Sequence, residues 1–249
     1  MNPIANSPPV AHAPGSDSSL RRRVYALLIV VATAAALGRV LSAELVYEPS
    51  LSRDWPGDPG HYRRSWPATP PRAMPTFSSN DRSRWAAVRA LVDNRTWVIG
   101  RHDPETGKDS GIIFEDGWQS VDKMRNPETL EYYSTKPPLL TFLVACEYGL
   151  LKKAFGWSLS GDQCFAVVRV CLLTFNLLPF AVYLWLLSRL AERFGATDWG
   201  RLFVVAAACF GTLVTPFLIA LNNHTLATCS VVAAVYATVR ILSGGGWRV

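Results

Sequence analysis

The chain has 249 residues, of which 49% are hydrophobic, and its formal net charge at pH 7 is +6. This length allows one or two domains, but the apolar residues do not follow the period of a soluble fold. They gather in blocks at 24–43, 137–151, 165–188, 201–221 and 225–242. About 20 apolar helical residues match a hydrocarbon core about 30 Å thick, so four of these five blocks predict membrane spans. The composition therefore favours an integral membrane protein over a soluble one.

The positive charge lies largely at the ends of the apolar blocks. The arginines there are Arg21, Arg22, Arg23, Arg189, Arg193, Arg201, Arg240 and Arg248. Basic residues next to spans act as topology signals, because short cytoplasmic loops are enriched in Lys and Arg. This distribution argues against a nucleic-acid partner and for membrane lipids as the surroundings of the chain.

The cysteines also follow the apolar blocks. They are Cys146, Cys164, Cys171, Cys209 and Cys229, and no pair has the spacing of a metal site. The polar stretch before Cys146 contains no cysteine. We therefore expect the five cysteines to be small apolar packing residues and to form no disulfide framework.

The N-terminal region predicts a tail followed by a first span. Residues 1–20 are rich in Pro and Ser and predict a disordered cytoplasmic tail. Three arginines then precede the block 24–43, a combination typical of either a cleaved signal peptide or a span. The block is longer than the usual signal-peptide core and carries Arg39, so we favour an uncleaved span with the N-terminus in the cytoplasm.

Residues 44–164 predict a large loop on the external side, between the first and second spans. The part before about Thr76 is rich in Pro, Trp and Arg, and residues 101–132 are polar with Gly and Pro. Both stretches predict irregular chain.

Between them, a helix is predicted at about 81–93. The segment Ser78-Ser79-Asn80-Asp81 is a helix N-cap pattern. The apolar residues Trp85, Val88, Leu91 and Val92 then fall on one helical stripe, with Arg82 and Arg89 on the other side.

The block at 137–151 is too short to span the hydrocarbon core with ease, because 15 residues reach only about 22 Å as a helix. If it spanned, Arg189, Arg193 and Arg201 would face outward, against the positive-inside tendency. We therefore favour an interfacial helix at about 137–153 and spans at about 24–43, 165–188, 201–221 and 225–242. Both ends of 21–249 then face the cytoplasm.

The predicted fold class is all-α: a multi-spanning helical membrane protein with a large external loop between the first and second spans. We expect an inner (plasma) membrane location. The chain ends at 243–249 without an element that closes the bundle, which is compatible with a fragment or a truncated copy of a longer protein.

Three short polar segments stand out because the predicted topology places them on the external side. They are Asn80-Asp81-Arg82-Ser83-Arg84, Asn222-Asn223-His224, and Lys136 before Pro137-Pro138. Polar residues at the mouths of apolar spans often mark functional sites. Each segment also has a purely structural interpretation. Asn80-Asp81 could be a helix N-cap, and Asn222-Asn223 could be a simple turn. Lys136 could be a lysine at a helix start whose side chain extends to the membrane interface.

The order of these segments resembles the GT-C membrane glycosyltransferases, above all the branch of protein O-mannosyltransferases and aminoarabinose transferases of lipid A. The shared pattern is Asp81, Arg84-Trp85-Ala86, Trp97 and Lys136-Pro137-Pro138-Leu139-Leu140. The likeness covers roughly residues 20–240. It implies a polyprenyl-phosphate sugar as donor and a protein or glycolipid as acceptor, on the external face of the membrane.

The resemblance also implies roles for single residues. Asp81 matches the acidic residue at the catalytic centre, where a base takes the proton of the acceptor hydroxyl. Lys136 matches the lysine that contacts the donor phosphate. The remaining expected substrate-binding residues follow from their positions at the mouths of the spans and not from the resemblance: Arg82, Arg84, Asn222, Asn223 and His224, with Arg82 or Arg84 as a second phosphate contact. The turn at 222–224 carries no carboxylate, so no bound divalent metal and no other cofactor is predicted.

A non-catalytic multi-pass protein is the alternative, either an anchor whose external loop binds a partner or a transporter. A transporter is expected to carry polar residues within its spans, but 165–242 offers little beyond Arg169 and Asn176. The polar segments outside the spans favour an interfacial enzyme.

Overall fold

The computed structural model describes residues 17–43, 74–76, 78–115 and 117–243, and these residues are mostly helical. Within them, four helices are long and apolar enough to cross a membrane, by length and composition. These helices cover Ser18–Ser42, Cys164–Phe194, Asp198–Phe217 and His224–Leu242. The predicted helical character and the apolar helices are confirmed.

The helices are α1 (Asp17–Ser42), α2 (Ser79–Asp93), α3 (Pro138–Phe155), α4 (Cys164–Leu172), α5 (Leu178–Phe194), α6 (Asp198–Phe210), α7 (Val214–Phe217) and α8 (His224–Leu242). α1 begins inside the predicted tail, so the prediction of disorder is wrong for residues 17–20. The rest of the predicted tail, and the stretch 44–73 predicted as irregular, lie outside the described residues.

A five-residue π-helical segment, Leu173–Leu177, joins α4 to α5 without a break in the long helix. Pro179 follows it in the first turn of α5, and proline removes a backbone donor that a regular helix needs. The wider turn holds Asn176, which is fully buried. Its Nδ2 donates to the carbonyls of Leu218 and Ala220 at 3.0 and 2.8 Å, which fixes the connection between α7 and α8.

A small antiparallel sheet replaces the irregular chain predicted for 101–132. Its strands are β1 (Gly100–His102), β2 (Asp109–Ser110), β3 (Lys123–Arg125) and β4 (Glu131–Ser134), in the order β2-β1-β4-β3. β1 and β2 approach so closely that a Cβ at Gly111 would lie 2.6 Å from the Cα of Gly100. The all-α prediction is therefore wrong for this part of the loop.

Two apolar clusters form the interior. The first joins α2, the sheet, α3 and α4, and its fully buried members include Trp85, Ile113 and Tyr148. The second joins α1, α5 and α6 around Phe180 and Leu184. The loop helix α2 thus packs with α3 and α4, and the second cluster joins the other long helices.

Within the first cluster, a carboxylate ties α2 to α3. The Oδ1 atom of Asp93 accepts hydrogen bonds from the Tyr148 hydroxyl at 2.9 Å and from Lys152 Nζ at 2.7 Å. Because α2 belongs to the polar loop, this link holds α3 against the loop.

Candidate functional site

The helix α2 begins with a side-chain cap that decides the role of Asp81. Ser78 has extended backbone angles, and its Oγ accepts the N–H of Asp81 at 3.2 Å. Capping of this kind satisfies one of the backbone donors left open at a helix start. The reading of Asp81 as the cap is therefore wrong, because Ser78 fills that role.

The Asp81 carboxylate instead reaches a segment 140 residues away in the sequence. Only 1% of Asp81 is exposed, and its Oδ1 accepts the backbone N–H of Leu221 at 2.9 Å. A buried carboxylate needs hydrogen bonds or nearby positive charge to offset its lost hydration. The start of α2 supplies part of this, since the helix dipole favours an acid there.

Arg84 makes the second contact with the same segment, one helical turn further on. Its Nη1 donates to Asn223 Oδ1 at 2.7 Å. Residues three apart lie on one helix face, so Asp81 and Arg84 meet the connection between α7 and α8 together. The structure thus brings two of the predicted polar segments into direct contact.

The Arg84 side chain keeps unused hydrogen-bonding capacity. It is 7% exposed, and its Nε is buried with no acceptor among the described residues. Burial lowers the pKa of Arg84, while the carboxylates of Asp81 and Asp122 act in the opposite direction. An arginine stays protonated in proteins, so this position offers a charged donor inside the protein.

Lys136 is paired with a residue that the sequence did not single out. Its Nζ is 2.9 Å from Asp122 Oδ1 in a partly buried ion pair. Burial favours a raised pKa for Asp122, but hydrogen bonds from Lys136 and Ser79 outweigh it, so the pKa lies below the ordinary value. Asp122 is therefore ionised at neutral pH.

Ser83 connects the Asp81–Arg84 part of the site with the Lys136–Asp122 part. This residue is fully buried between Asp81 and Arg84, and its Oγ is 2.5 Å from the carbonyl oxygen of Asp122 and 2.7 Å from Ser134 Oγ. Ser134 Oγ also accepts the backbone N–H of Lys136 at 3.3 Å. A small hydroxyl residue at position 83 lets the Lys136 segment pack directly against the first turns of α2.

The other predicted residues have mainly local contacts. Asn222 Nδ2 donates to the carbonyls of Phe217 and Ala220, its Oδ1 accepts the N–H of His224, and the His224 ring packs on Phe217. These contacts shape the connection that presents Asn223. Arg82 Nε lies 3.4 Å from the Ser78 carbonyl oxygen.

Arg82 corrects one detail of the predicted helix face. The sequence places it opposite the apolar stripe of an amphipathic helix, but it is nearly as buried as that stripe, with 9% exposed. The first turns of α2 are buried on nearly every side, because the loop packs on one face and the connection between α7 and α8 on another. A single helical stripe cannot reveal packing of that kind.

Asp122 and Ser83 are the functional candidates that sequence reasoning missed. Asp122 lies in a polar stretch without periodicity. It is a functional candidate only because it contacts Lys136, 14 residues later. Ser83 sits inside a segment already chosen, but nothing in its neighbours indicates that it bridges two elements. The sequence carries no local signal for either role.

In the described part of the chain, no group of three or more His, Cys, Asp or Glu side chains could hold a metal ion. The carboxylate of Asp81 accepts a hydrogen bond from the Leu221 N–H, and that of Asp122 accepts one from Lys136 Nζ.

Comparisons of the chain with protein-family profiles, with curated proteins and with solved structures give no match.

The ion pair between Asp122 and Lys136 predicts a pH-dependent contribution to stability. A lowered pKa means that the pair stabilises the fold fully above the unfolded-state value, about 3.9, and loses this as the pH falls through the folded value. Asp122→Asn should therefore lower the free energy of unfolding by about 1 kcal/mol at pH 7. The difference should persist to pH 5 and shrink below pH 4, as measured by tryptophan fluorescence during unfolding in detergent micelles.

The matched control is the same substitution in a Lys136→Met background, where the pair is already broken and the pH-dependent part of the difference should vanish. An Asp122→Asn effect that is equally large at pH 3 and pH 7 would contradict the ion-pair account.

Proposed function

We propose that this protein is a multi-pass membrane glycosyltransferase. It transfers a sugar from a polyprenyl-phosphate donor to a protein or glycolipid acceptor at the external face of the inner (plasma) membrane. The proposal is based on the contacts that Asp81 and Arg84 make with Leu221 and Asn223. Ser83 links these residues to the Lys136–Asp122 ion pair.

The exposed faces of the long helices support the membrane placement. Apolar side chains on them remain uncovered by protein, among them Leu27, Val30, Phe203, Val231 and Leu242. Uncovered apolar patches on this scale mark surfaces that lie against other apolar material. A bilayer covers such helices without any further partner, and helices satisfy their own backbone hydrogen bonds there.

Contacts at the two ends of these helices support the alternating topology. Arg21, at the start of α1, forms ion pairs with Glu192 near the end of α5 and with Asp198 at the start of α6. At the opposite ends, Asp81 and Arg84 of the loop touch Leu221 and Asn223. If the helices span the membrane, the contacts of Arg21 with Glu192 and Asp198 lie on one side of it. The loop and the connection between α7 and α8 then lie together on the other side.

The placement of α3 at the interface has its own support. One face of α3 is buried through Val144 and Tyr148, while Leu139, Phe142 and Leu150 are exposed. Because its buried face packs on the loop helix α2, the exposed apolar face is available to the membrane surface, as in interfacial amphipathic helices. Lys136, just before α3, then lies at the depth of the lipid phosphates.

The chemistry needs a base for the acceptor and cations for the donor phosphate. The acceptor oxygen bonds to the anomeric carbon as the bond from that carbon to the phosphate oxygen breaks. The acceptor proton passes to Asp81, and the electron pair leaves on the polyprenyl phosphate. Lys136 and the Nε of Arg84, which has no acceptor among the described residues, are the groups that stabilise this leaving phosphate.

Lys136 can serve the donor without giving up Asp122. An ammonium group has three donors, and only one is used by the Asp122 carboxylate at 2.9 Å. Asp122 keeps the Lys136 side chain oriented beside α2, so the positive charge is in place before the donor arrives. Such preorganisation is what makes electrostatic stabilisation effective in catalysis.

The proposed topology predicts which residues an impermeant thiol reagent reaches in intact cells. A cysteine at Ser110, an exposed residue of β2, should be labelled from outside, and one at Ala196, exposed between α5 and α6, should be spared. The background should carry Cys146→Ser, because Cys146 is exposed. Labelling at Ala196 in intact cells, without permeabilisation, would mean that α3 spans the membrane.

The catalytic proposal predicts different defects for Asp81→Asn and Lys136→Met. Asn keeps an oxygen that accepts the Leu221 N–H, but it lacks basicity, so transfer should fall by about 10²–10⁴-fold while folding and donor binding persist. Lys136→Met should weaken donor binding and slow transfer together, because the phosphate is present in both ground and transition states. The measurement is transfer from a polyprenyl-phosphate sugar by protein expressed from its complete reading frame.

Matched controls are Glu105→Gln and Lys153→Met, which change exposed charges of the same loop outside the site. Both should transfer sugar like the parent protein. Near-normal transfer by a well-folded Asp81→Asn variant would overturn the catalytic assignment and favour a non-catalytic anchor whose loop binds a partner.

A further inference from the structure

A second polar site lies at the opposite end of the long helices. A cavity of about 210 Å³ opens between α1 and α5, and its lining includes Arg22, Tyr25, Trp185, Ser188, Arg189 and Glu192. On each helix every one of these residues lies three or four positions from another, so they form facing stripes. The cavity is remote in the fold from Asp81 and Lys136, because it lies at the start of α1 and the end of α5.

The acidic residue of the cavity is already neutralised. Both Glu192 oxygens accept hydrogen bonds from Arg21, at 2.6 and 2.8 Å. Arg21 and Arg201 both also contact Asp198, at 2.6 and 3.1 Å. Two arginines and two acids thus form a network without net charge.

The cavity itself therefore carries the charge of Arg22 and Arg189. Neither forms an ion pair with a described residue, and Arg189 stacks on Trp185 with its guanidinium carbon 5.4 Å from the ring centre. At the cavity wall, Tyr25 is 4% exposed, and its hydroxyl lies beside the Glu192 carboxylate. Two cations therefore face one opening, and Tyr25 and Glu192 form part of its wall.

We infer that this cavity binds the phosphodiester headgroup of an anionic membrane lipid. The two guanidinium groups suit phosphate oxygens, to which arginine binds through paired N–H donors. Trp185, on which Arg189 stacks, is a residue type enriched at the membrane interface. Basic pockets between spans on the cytoplasmic side are places where lipid headgroups bind.

The inference rests on the proposed membrane placement of α1 and α5, and not on the transfer reaction. The acyl chains of a lipid held here would run along the exposed apolar face of α1, which includes Leu27 and Val30. This continuity between a charged opening and an apolar flank favours a lipid over a free phosphate ion.

The test is native mass spectrometry of protein released from vesicles of phosphatidylcholine with phosphatidylglycerol. The parent protein should retain one phosphatidylglycerol, and Arg22→Gln with Arg189→Gln should lower its occupancy about tenfold or more, given charge-assisted hydrogen bonds. Arg23→Gln with Arg193→Gln is the matched control, since it removes the same charge from the same helices outside the cavity. The control should retain the lipid.

A second variant blocks the cavity without altering charge. Ala26 is exposed and lines the cavity, so Ala26→Phe should fill the opening and lower lipid occupancy with both arginines in place. Added inorganic phosphate should leave the melting temperature of lipid-free protein unchanged, whereas phosphatidylglycerol should raise it.

Equal lipid loss in the cavity variant and its control would overturn the inference, as would full retention by both the arginine variant and Ala26→Phe. Stabilisation by inorganic phosphate equal to that by phosphatidylglycerol would overturn the lipid assignment. None of these readouts involves sugar transfer, so they remain separate from the fate of the catalytic proposal.

Discussion

The arrangement of this protein depends on the burial of two opposite charges at the start of one helix. Asp81 and Arg84 are both nearly inaccessible to solvent, and each forms a hydrogen bond with the connection between α7 and α8, through Leu221 and Asn223. Buried charges without partners are strongly destabilising, so the loop and this connection must stay together for either to be tolerated. The position of the loop above the long helices follows from that requirement.

This constraint also explains the local oddities of the neighbouring elements. Asn176 is buried in a π-helical turn, where it binds the carbonyls of Leu218 and Ala220. Asn222 and His224 close the same connection from within. These polar side chains hold the backbone N–H of Leu221 and the amide of Asn223 at the start of α2. These buried polar side chains thus all stabilise one junction, the contact between the start of α2 and the connection between α7 and α8.

The sequence reveals those parts of the fold that have a long periodic signal. The apolar helices and α2 could be predicted because their patterns extend over ten or more residues. The sheet could not, since its strands contain two to four residues each and carry Lys, Arg, Asp and Glu beside glycine turns. The order of Asp81, Lys136 and the 222–224 turn indicated a shared site, but the pairing of Lys136 with Asp122 depends on tertiary contact alone.

The junction itself is open to direct measurement by a double-mutant cycle between Arg84 and Asn223. Unfolding free energies in micelles would be compared for the parent, Arg84→Met, Asn223→Ala and the double variant. The account predicts a favourable coupling energy of about 1–2 kcal/mol, as expected for a hydrogen bond to a charged group. Additive effects of the two substitutions would contradict the claim that the loop and the connection between α7 and α8 form one site.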